Sequence, residues 1–202
     1  MTPTLEEFID ELLQREQPRL YFDTTVILDL LRPKRRPQSH ELLDLARGNK
    51  WECVSSYFAL MEAFDIEQEN LWFRARIGAG EDADLLLRRR KRRDLARQAL
   101  GRVSVRLYRK FREDLQDFIS WAILDDEGWE EALRLAMNTN VRAADCIHVA
   151  AALTAKCSLF ITSDEALRDL AQEYANLAGE YVRTASPVQA LAVLEKKAAR
   201  TP

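Results

Sequence analysis

The chain has 202 residues, 47% of them apolar and 31% charged, which is enough to bury one sizeable core but short for two independent domains. Charge interrupts every apolar stretch well before the roughly 18 residues a spanning helix needs, and the acidic N-terminus lacks the basic-then-apolar order of a secretory signal. A soluble, cytoplasmic protein without membrane contact is therefore expected, and its net charge of −3 conceals an asymmetry, because residues Leu85 to Arg112 carry +11 and the remainder −14.

One strongly basic segment in an otherwise acidic molecule is a candidate polyanion-binding face, with a merely solvated helix face as the alternative. Cys53, Cys146 and Cys157 form no C-x-x-C pair, and only His40 and His148 could join them. That argues against a zinc site or a disulfide framework.

In chain order, Leu5, Phe8, Ile9, Leu12 and Leu13 recur at helical spacing behind a Thr4/Glu7 capping box, predicting an amphipathic helix over residues 4–16. Leu20-Tyr21-Phe22 reads as a strand that turns at Asp23-Thr24-Thr25 into a helix over Val26–Leu31. The run Pro33 to Pro37 cannot continue it. A further helix is expected, capped by Ser39 and closed near Gly48.

Trp51 to Val54 repeats the strand pattern, and Ser55 or Ser56 is placed to cap the helix that carries Glu62. From Ile66 to Met137 the periodicity is mostly helical, so residues 66–138 are expected to form a helical middle segment. Arg102 to Tyr108 fits either period, with helix favoured. Ala143 to Lys156 is an alanine-rich helix, Ser158 to Thr162 a strand, and Ser163-Asp164 a turn into a helix over Glu165–Tyr174. Glu180 to Thr184 reads as a last strand, and Pro187 as the first residue of a final helix ending near Arg200. Alternating strands and helices predict one three-layer α/β/α domain with a central, mostly parallel sheet, the N-terminal helix and the middle segment being additions. Right-handed crossovers place all the strands' carboxyl ends on one edge, where such folds bind ligands.

Four acids belong on that edge. Asp23 and Asp164 directly follow strands, Glu62 lies one to two turns into its helix, and Asp145 lies near the start of the alanine-rich helix. Taken singly, the three aspartates could be helix caps and Glu62 a surface residue. Their apolar surroundings, such as Tyr57 to Met61 beside Glu62, favour a shared role. Gathered carboxylates repel by about 1–4 kcal/mol per pair, so convergence calls for a cation. Oxygen-only ligands select a hard ion, Mg²⁺ or Mn²⁺, and phosphodiester hydrolysis is the chemistry that suits such a site.

The segments YFDTTVILDLL, SSYFALMEAF and RAADCIHVAAALTAKCSLFITSDEAL, with acids in the order Asp, Glu, Asp, Asp, resemble the PIN-domain family, which includes VapC-type toxins. The resemblance runs from about Leu20 to Pro187. It implies a metal-dependent ribonuclease in which Asp23, Glu62, Asp145 and Asp164 bind Mg²⁺ or Mn²⁺ and cut RNA to a 5′-phosphate and a 3′-hydroxyl. It further implies that the hydroxyls of Thr24, Thr25 and Thr162 assist the acids, and that a toxin role would bring a small antitoxin protein as partner. The long stretch from Glu62 to Asp145 and the N-terminal helix depart from compact toxin-type members. Either addition could cover the groove, build a homodimer or carry substrate.

Arg88, Arg89 and Arg92 are the candidate RNA-backbone contacts in the basic run. His148, three residues after Asp145, is read as a packing histidine, with contact to the waters of a metal or to a phosphate as the alternative. Trp72, Phe73 and Trp121 are read as core or dimer residues rather than base-stacking platforms. A haloacid-dehalogenase-like phosphatase also places an Asp after its first strand, but it needs a second Asp where this chain has Thr25. The remaining alternative is a catalytically inactive PIN-like module that binds RNA or protein.

Overall fold

The computed structural model describes residues 17–32, 36–89, 97–139, 141–169 and 183–199. The N-terminal helix expected over residues 4–16 lies outside them. Among the described residues five strands, β1 (Arg19–Phe22), β2 (Glu52–Ser56), β3 (Ile119–Ala122), β4 (Leu159–Ile161) and β5 (Arg183–Ala185), form one sheet in the order β3-β2-β1-β4-β5. Every pairing is parallel. The helices are α1 (Thr24–Leu31), α2 (Pro37–Gly48), α3 (Tyr57–Gly78), α4 (Ala83–Arg89), α5 (Arg97–Asp114), α6 (Asp126–Asn138), α7 (Ala143–Thr154) and α8 (Pro187–Ala198).

The two-residue alternation of a strand divides the core into the two faces of a three-layer α/β/α domain. Leu20, Phe22, Cys53, Ile119, Leu159 and Ile161 point to one face, where they pack with buried residues of α1, α2, α3, α5 and α8. Tyr21, Val54 and Phe160 point to the other, against α6, α7 and Leu167. Being covered on both sides, β1 and β4 are apolar throughout their buried lengths, as parallel strands are. Strand β1 sits centrally: the chain runs outward through β2 and β3 on one flank, then returns over the second face to β4 and β5 on the other. The reversal falls between β1 and β4, the switch point beside which open parallel sheets place their ligands.

The structure corrects three local expectations. Helix α2 begins at Pro37, whose fixed φ and missing amide suit a first helical position. Ser39 is thus not a cap but a buried residue within the helix, its hydroxyl donating to Asp29 Oδ2 at 3.2 Å. The middle segment over residues 66–138 is not wholly helical, because Ile119–Ala122 adds an edge strand beside β2, with Cys53 opposite Ile119 and Ser56 opposite Ala122. The last strand, expected over Glu180–Thr184, is described at Arg183–Ala185 and so runs one residue further, residues 180–182 being outside the described set.

The ambiguous stretch Arg102 to Tyr108 is helical. Val103, Leu107 and Phe111 share its buried face while Val105 is exposed, so spacing by four prevails over alternation. Ser186 caps α8 through a complete capping box with Gln189. Trp72 is buried in the core, and the partly buried Trp121 packs against the core at Phe111. Among the described residues no helix is long and apolar enough to cross a membrane.

Strand β3 carries one buried anchor, Ile119, while Ile123 just beyond its end is exposed. Ile119→Ala should therefore lower the unfolding free energy by about 2–4 kcal/mol and Ile123→Ala should change it by no more than about 0.5 kcal/mol, both read from denaturant midpoints. Equal effects would contradict the placement of this strand.

Candidate active site

Asp23 leaves β1 in extended conformation and becomes the N-cap of α1, its Oδ1 accepting from the Val26 amide at 3.1 Å. Its amide donates to the Ile161 carbonyl at 3.2 Å, so the capping turn is stitched to the end of β4. Thr25 donates its hydroxyl to Asp23 Oδ1 at 2.7 Å and accepts the Ser163 amide at 2.9 Å. Thr162 donates to Asp23 Oδ2 at 2.6 Å and accepts the Asp164 amide at 2.9 Å. Both carboxylate oxygens of Asp23 are thereby held by hydroxyls that also grip the turn carrying Asp164. The Asp23 carboxyl is almost entirely buried, which pushes its pKa up from the ordinary value, while His148 and the three hydrogen bonds pull the other way.

Glu62 reaches the same rim from α3, whose N-cap is Ser56. Thr24 donates to Glu62 Oε2 at 2.6 Å, and His148 Nε2 lies 2.7 Å from the same oxygen. Desolvation would raise this carboxyl, but the hydrogen bonds of His148 and Thr24, then the charges of His148 and Arg142, hold it below its ordinary value. His148 is buried on α7. Its Nδ1 stands 3.1 Å from the Tyr21 hydroxyl, which donates in turn to Ser56 Oγ at 3.1 Å. Burial keeps the Tyr21 phenol protonated by raising its pKa. A chain of side chains thus runs from the cap of α3, through the interior, to the acid on the same helix.

Asp145 is the third residue of α7 rather than its cap, a position occupied by Arg142. Arg142 forks onto it, Nε to Oδ2 at 2.9 Å and Nη2 to Oδ1 at 3.1 Å. The same guanidinium lies 3.7 Å from Asp164 Oδ2. Asp164 also caps the helical turn after it, accepting the Leu167 amide at 3.2 Å. Arg142 is largely exposed, and its pKa is raised first by Asp145 and then, against partial burial, by Asp164 and Glu62.

The acids are therefore tied together in two linked sets, Asp23 with Asp164 through Thr162, and Asp145 with Asp164 through Arg142. Glu62 joins through His148, one turn along α7 from Asp145. Among the described residues no three His, Cys, Asp or Glu side chains are grouped closely enough to enclose an ion. The countercharge in this arrangement comes from Arg142, and His148 adds a close ring-nitrogen contact to Glu62. An all-oxygen donor set of four carboxylates and nearby threonine hydroxyls suits a hard divalent ion, and Arg142, which holds Asp145 and Asp164, is itself exposed.

Sequence reasoning treated His148 as packing. It is buried, but it also touches Glu62. Tyr21, Ser56 and Arg142 were not singled out for the site. The available signals were slight: Arg142 and Asp145 stand at i,i+3 across the start of a helix, and Tyr21 is the polar-tipped residue of an apolar strand. In the basic segment, Arg88 is exposed on α4. Arg92 and the side chain of Arg89 lie outside the described residues.

A comparison with protein-family models matches the PIN domain over residues 20–173. Neither curated proteins nor solved structures gave a match.

Asp23 and the half-buried Glu62 generate opposite pH signatures. Asp23 has a folded pKa above its ordinary 3.8, so its contribution to stability is fully present below that value and is lost as pH rises through the folded pKa. Glu62 has a folded pKa below its ordinary 4.5, so its contribution is present above that value and is lost as pH falls through the folded pKa. In metal-free buffer, raising the pH from about 3 to 7 should make Asp23→Asn progressively more stable relative to the parent protein, and Glu62→Gln progressively less stable. Thermal melts check this, and parallel trends for the two variants would contradict it.

Proposed function

The chain belongs to the PIN-domain family, and from that premise we propose that it is a metal-dependent endoribonuclease hydrolysing RNA phosphodiester bonds. PIN domains are typically nucleases that use divalent metals. The observation that carries the reading is the setting of Asp23. It is a carboxylate buried at the switch point of the sheet, held on both oxygens, with Asp164 on the adjoining turn. A purely structural cap has no need of desolvation or of three further acids at the same rim.

Asp23, Glu62, Asp145 and Asp164 are the residues that would hold Mg²⁺ or Mn²⁺. When bound, the ion supplies activation of water and neutralisation of charge at phosphorus. The chain's own groups set the geometry. Thr25 and Thr162 fix the rotamer of Asp23, Thr24 and His148 fix that of Glu62, and burial of Tyr21 and His148 keeps the inner side of the site dry. Arg142 stabilises the acids against one another and is placed to meet a phosphate oxygen at the same rim. Single-stranded RNA suits an open rim better than a duplex would.

The basic segment supplies the complementary charge for the backbone, in the proposed contacts Arg88, Arg89 and Arg92. Helix α5 adds Arg102, Arg106 and Arg109 on one exposed face. The finer reading, the toxin of a type II toxin–antitoxin pair with a small antitoxin as partner, is supported by the likeness of the three acid-bearing segments to VapC-type toxins.

Asp23→Asn or Asp145→Asn should lower cleavage of single-stranded RNA by about a hundredfold or more. Mg²⁺ or Mn²⁺ at a hundred times its dissociation constant should stabilise the parent protein by about 2.7 kcal/mol and leave Asp23→Asn unaffected. Retained cleavage in folded variants would reject the assignment, and unaltered folding with no cleavage by the parent protein would favour the binding module. Replacing Arg88, Arg89 and Arg92 together by Ala should flatten the log–log salt dependence of RNA binding by up to about 2 units. An unchanged slope would remove them from the interface.

A further inference from the structure

Beside the acids, towards the β3 flank, the rim opens into an apolar hollow of about 340 Å³ lined by residues that include Tyr57, Met61, Ile123, Trp129 and Ile147. Its size is that of a small-molecule site rather than a protein groove. The walls are direct chain neighbours of the candidate acids and their partners: Met61 precedes Glu62, Ile147 precedes His148, and Tyr57 follows the cap Ser56. Two of them are aromatic and unusually open, Tyr57 at 58% exposure and Trp129 at 49%.

Tyr57 is not a loose surface ring. It stacks on Trp121 with centroids 4.3 Å apart and planes 13° from parallel, and Trp121 is itself packed on Phe111 of the core. One face of the phenol ring is thus occupied and braced, and the residue lines the hollow. A rigid ring braced from behind loses little entropy when a flat partner lands on it.

We infer that this hollow receives one unpaired nucleobase of the RNA, stacked on Tyr57 and walled by Trp129. The inference rests on the nuclease reading for the identity of the substrate. The topology supports it. Asp164 follows β4, Asp23 follows β1, the helix of Glu62 follows β2, and Ile123 follows β3, all along one carboxyl edge. A strand of nucleic acid laid across that edge meets the acids and then the hollow. With about 4.8 Å between neighbouring strands, the stacked base lies roughly one or two nucleotides from the phosphate at the acids. Every base offers a flat face, so stacking here selects single-stranded over paired RNA without reading sequence. A paired base cannot enter, because its face is already covered in the duplex.

The test measures binding, so that it stands apart from catalysis. The full-length parent protein in metal-free buffer, where the proposed cleavage does not run, is titrated with a labelled single-stranded oligoribonucleotide and with a set in which one abasic residue is moved position by position. One register should show affinity reduced about fivefold to a hundredfold, the range that a single base–aromatic stack supplies. Adding Tyr57→Ala or Trp129→Ala should erase that penalty while the other abasic positions stay unchanged. Tyr57→Phe and Trp129→Phe should restore it. A flat abasic scan, or a penalty that persists in both alanine variants, overturns the proposal. So does a finding by sedimentation that the parent chain self-associates through this surface and that Tyr57→Ala dissociates it without weakening RNA binding. Failure of the parent protein to cut RNA, with the abasic penalty intact, would instead reject the nuclease reading and leave the base site standing.

Discussion

Carboxylates drawn to one edge of a parallel sheet repel one another, and the lower the local dielectric the more strongly they do so. In this protein the repulsion is met in two ways. Asp23, the most buried of the four acids, is surrounded by donors from Thr25, Thr162 and the Val26 amide. Asp145 and Asp164 instead share the guanidinium of Arg142, and Glu62 is held by the Thr24 hydroxyl and the His148 ring. The first device is fixed in the interior, because each hydroxyl also holds backbone. The second lies partly in solvent, since the Arg142 side chain is exposed. That division sets an inner wall held by buried hydrogen bonds beside an outer countercharge at the surface.

The fold makes such an arrangement affordable in conformational terms. Acids distant in sequence reach one rim because the five described strands run the same way and the crossovers deliver their ends to one edge. The reversal between β1 and β4 opens the crevice, and the amide of Asp23 bonded to the Ile161 carbonyl keeps its two sides in register. Helix α7 then acts as a brace. Its first turn carries Asp145, its second carries His148, and its apolar face packs on Tyr21, Val54 and Phe160. Movement of α7 would therefore disturb two of the acids together, coupling core packing to the geometry of the site.

Much of this was legible from residue order. Apolar runs ending in an acid announced Asp23 and Asp164, and the Ser55-Ser56 cap located Glu62 on its helix. The alanine-rich pattern around Asp145 marked a helix packed closely on the sheet. What was not legible depended on long-range pairing or on weak local signals. Strand β3 has four residues, of which only Ile119 is buried, so it lacks the alternation that identifies a strand. The contact of His148 with Tyr21 spans 127 positions, and no periodicity records it. Arg142 was hidden for another reason: an arginine beside a helix start is ordinary, and its fork onto Asp145 is a property of the turn rather than of the residue.

Crystals of the full chain soaked in Mn²⁺ and measured near the manganese absorption edge would show whether the acids at this rim form the proposed metal centre or only a set of caps and ion pairs. An anomalous peak enclosed by Asp23, Glu62, Asp145 and Asp164, with the Arg142 side chain drawn away from Asp145, is expected. Crystals that diffract well and show no such peak at saturating Mn²⁺, with Arg142 still forked onto Asp145, would contradict the metal centre.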